Sequence, residues 1–447
     1  MKVLLVQPRT PGTESWSPPL GLGYLAAALE GAGHEVAILD LDTDGGADDV
    51  TLVGRARGAD VVGFTTTMAS APDSLRMAGL LDTPTVLFGG AQASARPETF
   101  ATRPEHIAVI GEAERSAVQL LRVLEQGGAL ESVPGIAFLD ATGGLRLTKR
   151  MDPVGDLDSL PMPARHLFDM DSYDVQLCGG RATTIMSTRG CPFDCFFCYH
   201  DFHGKKYRCH STERVLAEID HLTEVYGYRS FLFYDDNFTH RRERVELLCR
   251  ALLDRGVQIR WRCYSRVNAV DRELLALMCR AGCAEIVFGV ESGSQNTLDR
   301  VHKGITVAQS LEAVRLCAEA GIATKAYLVI GFPWETKDDI RMTLDLIPQL
   351  HPSQVMLVVA TPFPATPFEK WLIDHDMSID ASVDITGIAE PSFDTENWTR
   401  DELRALRDEG YARIRKAAAQ PTVSYRWREQ RHWQRQFSWG PTEKSGS

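Results

Sequence analysis

Three cysteines within eight residues, Cys191-x3-Cys195-x2-Cys198, form the densest set of metal-binding side chains in the sequence. Thiolates are ligands of zinc and of iron–sulfur clusters. Three of them can hold three corners of a 4Fe-4S cluster and leave one iron open to a small molecule, whereas a purely structural or electron-transfer site closes all four positions. The other chemistry open to the loop is a structural zinc site, with His200, His203 or Cys209 as fourth ligand. The remaining thiols, Cys178, Cys209, Cys249, Cys263, Cys279, Cys283 and Cys317, are scattered. They read as buried or ordinary cysteines, since a free cysteine packs as a small hydrophobe.

The loop needs a scaffold. Short apolar runs at Val3 to Val6, Val36 to Leu39, Val61 to Phe64, Val86 to Phe88 and Ile107 to Ile110 read as buried parallel strands. Segments of helical length lie between them: Leu20 to Gly31, Ala47 to Ala56, Pro72 to Leu80 and Ala113 to Glu125. This is a doubly wound, Rossmann-like α/β pattern over residues 1–150, closed by a hairpin at Gly135 to Lys149. A Pro- and Asp-rich stretch, 151–175, has the composition of a linker. A second series follows over 176–385, with strands near Thr183 to Ser187, Ser230 to Tyr234, Ile259 to Cys263, Glu285 to Gly289, Thr324 to Ile330 and Val355 to Ala360. Six such units predict a partial (β/α)6 barrel with its functional loops at the strands' C-terminal ends. One intervening helix starts at Ser211 or Thr212 and places Val215, Ile219, Leu222 and Val225 on one face. Residues 386–447 fit neither series and read as a helical or irregular extension.

The cysteine spacing, with Phe197 as the aromatic before the third cysteine, resembles the signature of the radical S-adenosylmethionine (SAM) superfamily. That resemblance implies a 4Fe-4S cluster on Cys191, Cys195 and Cys198, SAM chelating the open iron, and reductive cleavage to a 5'-deoxyadenosyl radical that abstracts hydrogen. The cofactor then carries the difficult chemistry while the barrel orients and shields. Further segments resemble family elements in register with the strands. Tyr234-Asp235-Asp236-Asn237-Phe238 is similar to the acidic patch for the SAM amino group, and Glu291-Ser292-Gly293-Ser294 to the segment that meets its ribose and carboxylate. Gly331-Phe332-Pro333-Trp334-Glu335-Thr336 is similar to the adenine-side turn. The loop Thr361 to Pro367 carries Ala365 where the family usually has glycine, and Arg262, Tyr264 and Arg266 stand where they could reach the ligands.

The first half resembles the cobalamin-binding domain that precedes many radical SAM enzymes, through Pro18 to Tyr24, Gly89 to Ser94 and Gly111 to Glu114. Ligands of open α/β sheets lie beyond the strands' carboxyl ends, where Gln7, Thr65, Thr66, Gly89, Gly90, Gly111 and Glu112 fall. The Asp-x-His-x-x-Gly element of another cobalamin family is absent, and His34 and His106 are the histidines before residue 150, so a bound cobalt would lack that lower ligand. Gln92 and Ala113 stand where the family often has histidine and glycine. Gly21-x-Gly23-x-x-Ala26 formally matches a dinucleotide fingerprint, but it starts fourteen residues after Gln7 rather than in the tight first turn.

Two outcomes follow from this resemblance: cobalamin-dependent C-methylation of a small biosynthetic intermediate, or radical dehydration of a polyol or amino sugar, as in aminoglycoside antibiotic biosynthesis. The first is a transferase, the second a lyase. A non-catalytic iron–sulfur or zinc protein is the reading from another class. An external donor of flavodoxin or ferredoxin type would supply the electron. The charge balance, 48 basic against 60 acidic residues and net −12, opposes nucleic acid as a partner. The related tRNA methylthiotransferases carry N-terminal cysteines that are missing here. Basic and aromatic residues interleave from Tyr411 to Trp439, and this stretch reads as a tail packed on the barrel rather than an RNA site. No secretory signal or membrane span of about 18 apolar residues is present, so the expected location is the cytoplasm.

Overall fold

The computed structural model describes residues 1–9, 17–43, 48–380, 383 and 389–418. The first apolar runs form five parallel strands, β1 (Lys2–Gln7), β2 (Glu35–Asp40), β3 (Val61–Thr65), β4 (Val86–Gly89) and β5 (His106–Val109). They lie in the order β2-β1-β3-β4-β5, extended by the antiparallel hairpin β6 (Ile136–Leu139) and β7 (Leu145–Leu147). Alternation explains why these strands are apolar throughout. Val3 and Leu5 pack with Leu22, Ala26 and Leu120 on one face, whereas Leu4 and Val6 pack with Leu52, Phe64 and Phe88 on the other.

The second sheet contains β8 (Gln176–Leu177), β9 (Gly180–Ile185), β12 (Ser230–Phe233), β13 (Arg260–Ser265), β14 (Cys283–Glu291), β15 (Ala323–Ile330) and β16 (Gln354–Val359). A separate two-stranded ribbon, β10 (Thr188–Arg189) with β11 (Arg208–Cys209), interrupts it after β9. The order β16-β15-β14-β13-β12-β9-β8 puts six parallel strands side by side and leaves the barrel open between β16 and β8. Trp261, Cys263, Ile286, Phe288, Ala326 and Leu328 face the surrounding helices. The alternate residues, Arg262, Tyr264, Glu285, Lys325 and Tyr327, turn to the concave side. There Arg262 pairs with Glu285 at 3.3 Å, and burial together with Arg262 pulls the Lys325 amine down to about 7.

Ser211 caps the helix Thr212–Tyr226, its hydroxyl accepting from the Arg214 amide at 3.1 Å. Val215, Ile219 and Leu222 are buried as expected, but Val225 is 60% exposed. It lies about 80° around the helix from Val215, outside the apolar stripe.

The Pro- and Asp-rich stretch departs from its linker-like composition, because it is a packed strap. Val154 donates its amide to Glu112 (3.1 Å), Arg165 bonds Glu218 (2.7 Å) and the Thr184 carbonyl (2.6 Å), and the Tyr173 hydroxyl donates to Asp40 (2.8 Å). At the other end, the helix Arg400–Ala418 buries Leu403 and Leu406 in the barrel core. Its Tyr411 donates to the Leu357 carbonyl at 3.3 Å, and Arg413 pairs with Asp345 and Glu409. The rest of the basic and aromatic tail, including Arg426, Arg428, Arg431 and Arg435, lies outside the described residues. No helix among the described residues is long and apolar enough to cross a membrane.

Candidate active site

The cysteine loop, residues 190–207, leaves the C-terminal end of β9 and is closed at its neck by β10 and β11. Gly190 sits in the neck at φ 87°, where a Cβ would collide with the Lys206 carbonyl. Asp235 is buried at the end of β12 and accepts from the Ser187 amide (2.6 Å), the Ser187 hydroxyl (2.5 Å) and the Thr188 amide (3.0 Å). Burial nevertheless pushes its carboxyl up. Asp236, its neighbour, accepts from the Gly190 amide at 2.9 Å and is exposed toward the loop. Of the two sequence candidates, Asp235 is therefore committed to the backbone leading into the loop, and Asp236 faces the cysteines.

The thiols lie together. Cys195 is buried, and burial raises the Cys191 thiol. The Cys198 thiol is pushed up to about 12, first by desolvation and then by Cys195 and Cys191. The Cys191 and Cys198 thiols, whose ionisation is opposed by burial and by the neighbouring cysteines, need a cation nearby before they can act as thiolates. Arg266 supplies one: its guanidinium lies 3.8 Å from Cys195 Sγ and 3.9 Å from the Phe193 ring centroid, and it also donates to the Lys303 carbonyl. Lys303 pairs with Glu291 at 2.5 Å. Glu291 itself adopts φ 65°, an uncommon conformation for a residue with a side chain.

The fourth zinc ligands that the sequence offers are engaged elsewhere. His200 faces the Cys195 carbonyl (3.2 Å), His203 lies 3.0 Å from Glu112, and Cys209 belongs to the ribbon.

The remaining candidates divide between the site and its supports. Phe197 packs 5.6 Å from Phe332, next to the turn at Gly331 (φ 94°) and Pro333. That turn is held by Glu335, which accepts from the amides of Gly331 (2.7 Å) and Phe332 (3.0 Å). Ser292 and Gly293 pack against the helix Lys337–Leu350. Ser292 meets the Thr343 hydroxyl at 2.9 Å, and a Cβ on Gly293 would collide with the Met342 carbonyl, so the close approach this glycine permits is to a helix. Ala365 adopts φ 60°, a conformation that favours glycine.

At the C-terminal edge of the first sheet, Thr65, Gly89 and Gly90 are half-buried. Nothing lies within 4 Å of where a Cβ on Gly89 would stand, so the backbone is open at this point of the edge. Gly90 (φ 98°) instead avoids a contact of 2.6 Å with the Thr66 carbonyl. Neither early histidine reaches this edge: His34 is tied near Glu125, and the His106 ring meets Phe88 at the start of β5. Gly111 and Glu112 turn toward the cysteine loop. Gly111 lies beside the Phe202 carbonyl, and both Glu112 oxygens are engaged by Arg208.

The profile of the B12 binding domain matches residues 13–121, and that of the radical SAM superfamily matches residues 185–347. An uncharacterized methyltransferase of Pyrococcus horikoshii is 30% identical over 424 residues, covering 92% of both chains. The chain belongs to the radical SAM superfamily. It falls in the branch whose barrel follows a B12-binding domain. The anaerobic magnesium-protoporphyrin IX monomethyl ester cyclase of Cereibacter sphaeroides is also 30% identical, over 90% of this chain and 68% of its own. In fold, this radical SAM chain superposes on the cobalamin-dependent SAM radical enzyme OxsB, solved with aqua-cobalamin and SAM, with a TM-score of 0.75 at 18% identity, over 92% of this chain and 66% of that one.

Sequence reasoning missed Arg189, Arg208, Lys303 and the role of Glu335. Each is a single charged residue with no periodic or spacing signal, recognisable only from what the fold brings beside it.

Proposed function

We propose that this radical SAM protein is a cobalamin-dependent methyltransferase acting on a small molecule held on the concave side of the half-barrel. What carries the reading is the cysteine loop docked against the C-terminal edge of the B12-type sheet, so that the two cofactor regions adjoin. The near full-length likeness to a protein named a methyltransferase supports it. When bound, the cluster, SAM and cobalamin supply reductive SAM cleavage, a hydrogen-abstracting radical and a transferable methyl group.

The chain's own residues position and shield. Cys191, Cys195 and Cys198 ligate iron, and Arg266 offsets thiolate charge. Asp236 accepts the SAM ammonium through a charge-assisted bond. Phe197 and the Gly331 to Pro333 turn wall the adenine, and Glu291 holds the strand end through Lys303. Thr65, Gly89 and Gly90 would offer the corrin an edge. The division of labour follows the two sheets, the strap joining them at 151–175. A ferredoxin- or flavodoxin-type donor and a cytoplasmic setting complete the proposal.

The test is anaerobic reconstitution with iron, sulfide and cobalamin, then SAM bearing a deuterated methyl group, reductant and candidate substrates. The expected products are 5'-deoxyadenosine, S-adenosylhomocysteine and a deuteromethylated substrate. Cys195→Ala is expected to hold no cluster and give no 5'-deoxyadenosine. Likeness to the cyclase favours a second reading, in which the same hydrogen abstraction leads to ring closure or elimination. Deoxyadenosine without label transfer, from a chain that binds no cobalamin, would select it.

A further inference from the structure

We propose that Glu112 and Glu114 are positioning residues for the iron–sulfur centre, carboxylates at the start of the helix Ala113–Gln126 of the first domain that close the neck of the cysteine loop as counter-ions. In the ribbon, Arg189 pairs in register with Arg208. Like charges opposite one another on neighbouring strands repel. Both side chains are also almost fully buried, at 3% and 2% exposure, where an unpaired charge is most costly. The ribbon is therefore a poor closure by itself.

The first domain supplies the missing charges, from the N-terminal end of the helix Ala113–Gln126. Glu114 accepts from Arg189 at 2.7 Å. Glu112 accepts from Arg208 through both oxygens, at 2.7 and 2.9 Å, and has Arg189 at 3.7 Å. Two guanidiniums thus meet two carboxylates. Glu112 also lies 3.0 Å from Nδ1 of His203, a residue of the loop itself. Burial opposes its ionisation, but the bonds from His203 and Arg208 and the charge of Arg189 hold the carboxyl well below the usual range. Arg208 carries the connection onward, donating to the carbonyls of His203 and Val154 at 2.7 Å each. Cluster retention is accordingly conditional on the docked first domain. The inference rests on the three cysteines holding the cluster.

The experiment uses the full chain reconstituted anaerobically as wild type, Glu112→Gln, Glu114→Gln and Glu218→Gln. The last breaks the buried Arg165–Glu218 pair, which lies outside the loop. The readouts are the rate at which a chelator strips iron, the low-temperature EPR signal of the reduced cluster, and far-UV circular dichroism. Both neck variants are expected to lose iron at least about ten-fold faster than wild type and to alter the EPR signal, with Glu218→Gln unchanged in both. Should Glu112→Gln fail to fold, Glu114→Gln, which leaves Arg208 paired, decides. Wild-type rates and signals in the neck variants would overturn the proposal, and so would equal acceleration in Glu218→Gln, which marks general destabilisation. A wild-type chain that takes up no iron would instead strike down the cluster assignment beneath it.

Discussion

Glu335 shows how one side chain can tie pH to stability. It is wholly buried and accepts from two amides and from the Thr297 hydroxyl at 3.0 Å. Burial still raises its carboxyl from 4.5 to about 7. Between those values the folded chain holds a proton that the unfolded chain has released. Its contribution is therefore full below about pH 4.5 and is lost as pH rises to about 7, amounting to about 3 kcal/mol. Glu335→Gln keeps an acceptor for the amides and presents a donor to Thr297. Relative to that variant, wild type is expected to lose stability between pH 5 and pH 8, measured by urea unfolding at both. The sequence marked this segment through Gly331 and Pro333, but nothing in it says which polar residue folds back beneath the turn. Asp235 and Asp236 pose the same difficulty: adjacent identical residues, one sealed under the loop and one facing the cysteines.

Among elements, the parallel strands were the most legible, because apolar runs buried on both faces have no other use in a soluble sheet. The ribbon was not. Two residues per strand carry no periodicity, and arginines opposite each other contradict ordinary strand pairing, so β10 and β11 emerge only once the first sheet is in place. Gly190 is the element's tightest point. Gly190→Ala places a Cβ against the Lys206 carbonyl at a left-handed φ. It is expected to cost about 1–3 kcal/mol and to lower iron bound per chain, read by thermal melting and by iron analysis after reconstitution.

At the scale of the molecule, the two sheets are joined by the strap and by the charged neck. Composition gave the strap the character of a linker because its polar residues find their partners far along the chain: Tyr173 and Asp40 are 133 residues apart. Tyr173→Phe removes a buried hydrogen bond to a carboxylate. It is expected to destabilise the chain by about 1.5–3 kcal/mol, measured by denaturant unfolding, with the SAM-side residues untouched. The neck spans comparable separations, 75 residues from Arg189 to Glu114 and 96 from Arg208 to Glu112. In both pairs the acid comes first. Because N-terminal domains fold first during synthesis, a ribosome presents the finished anionic edge before the basic ribbon emerges. The order of translation thereby places the scaffold before the neck that it completes.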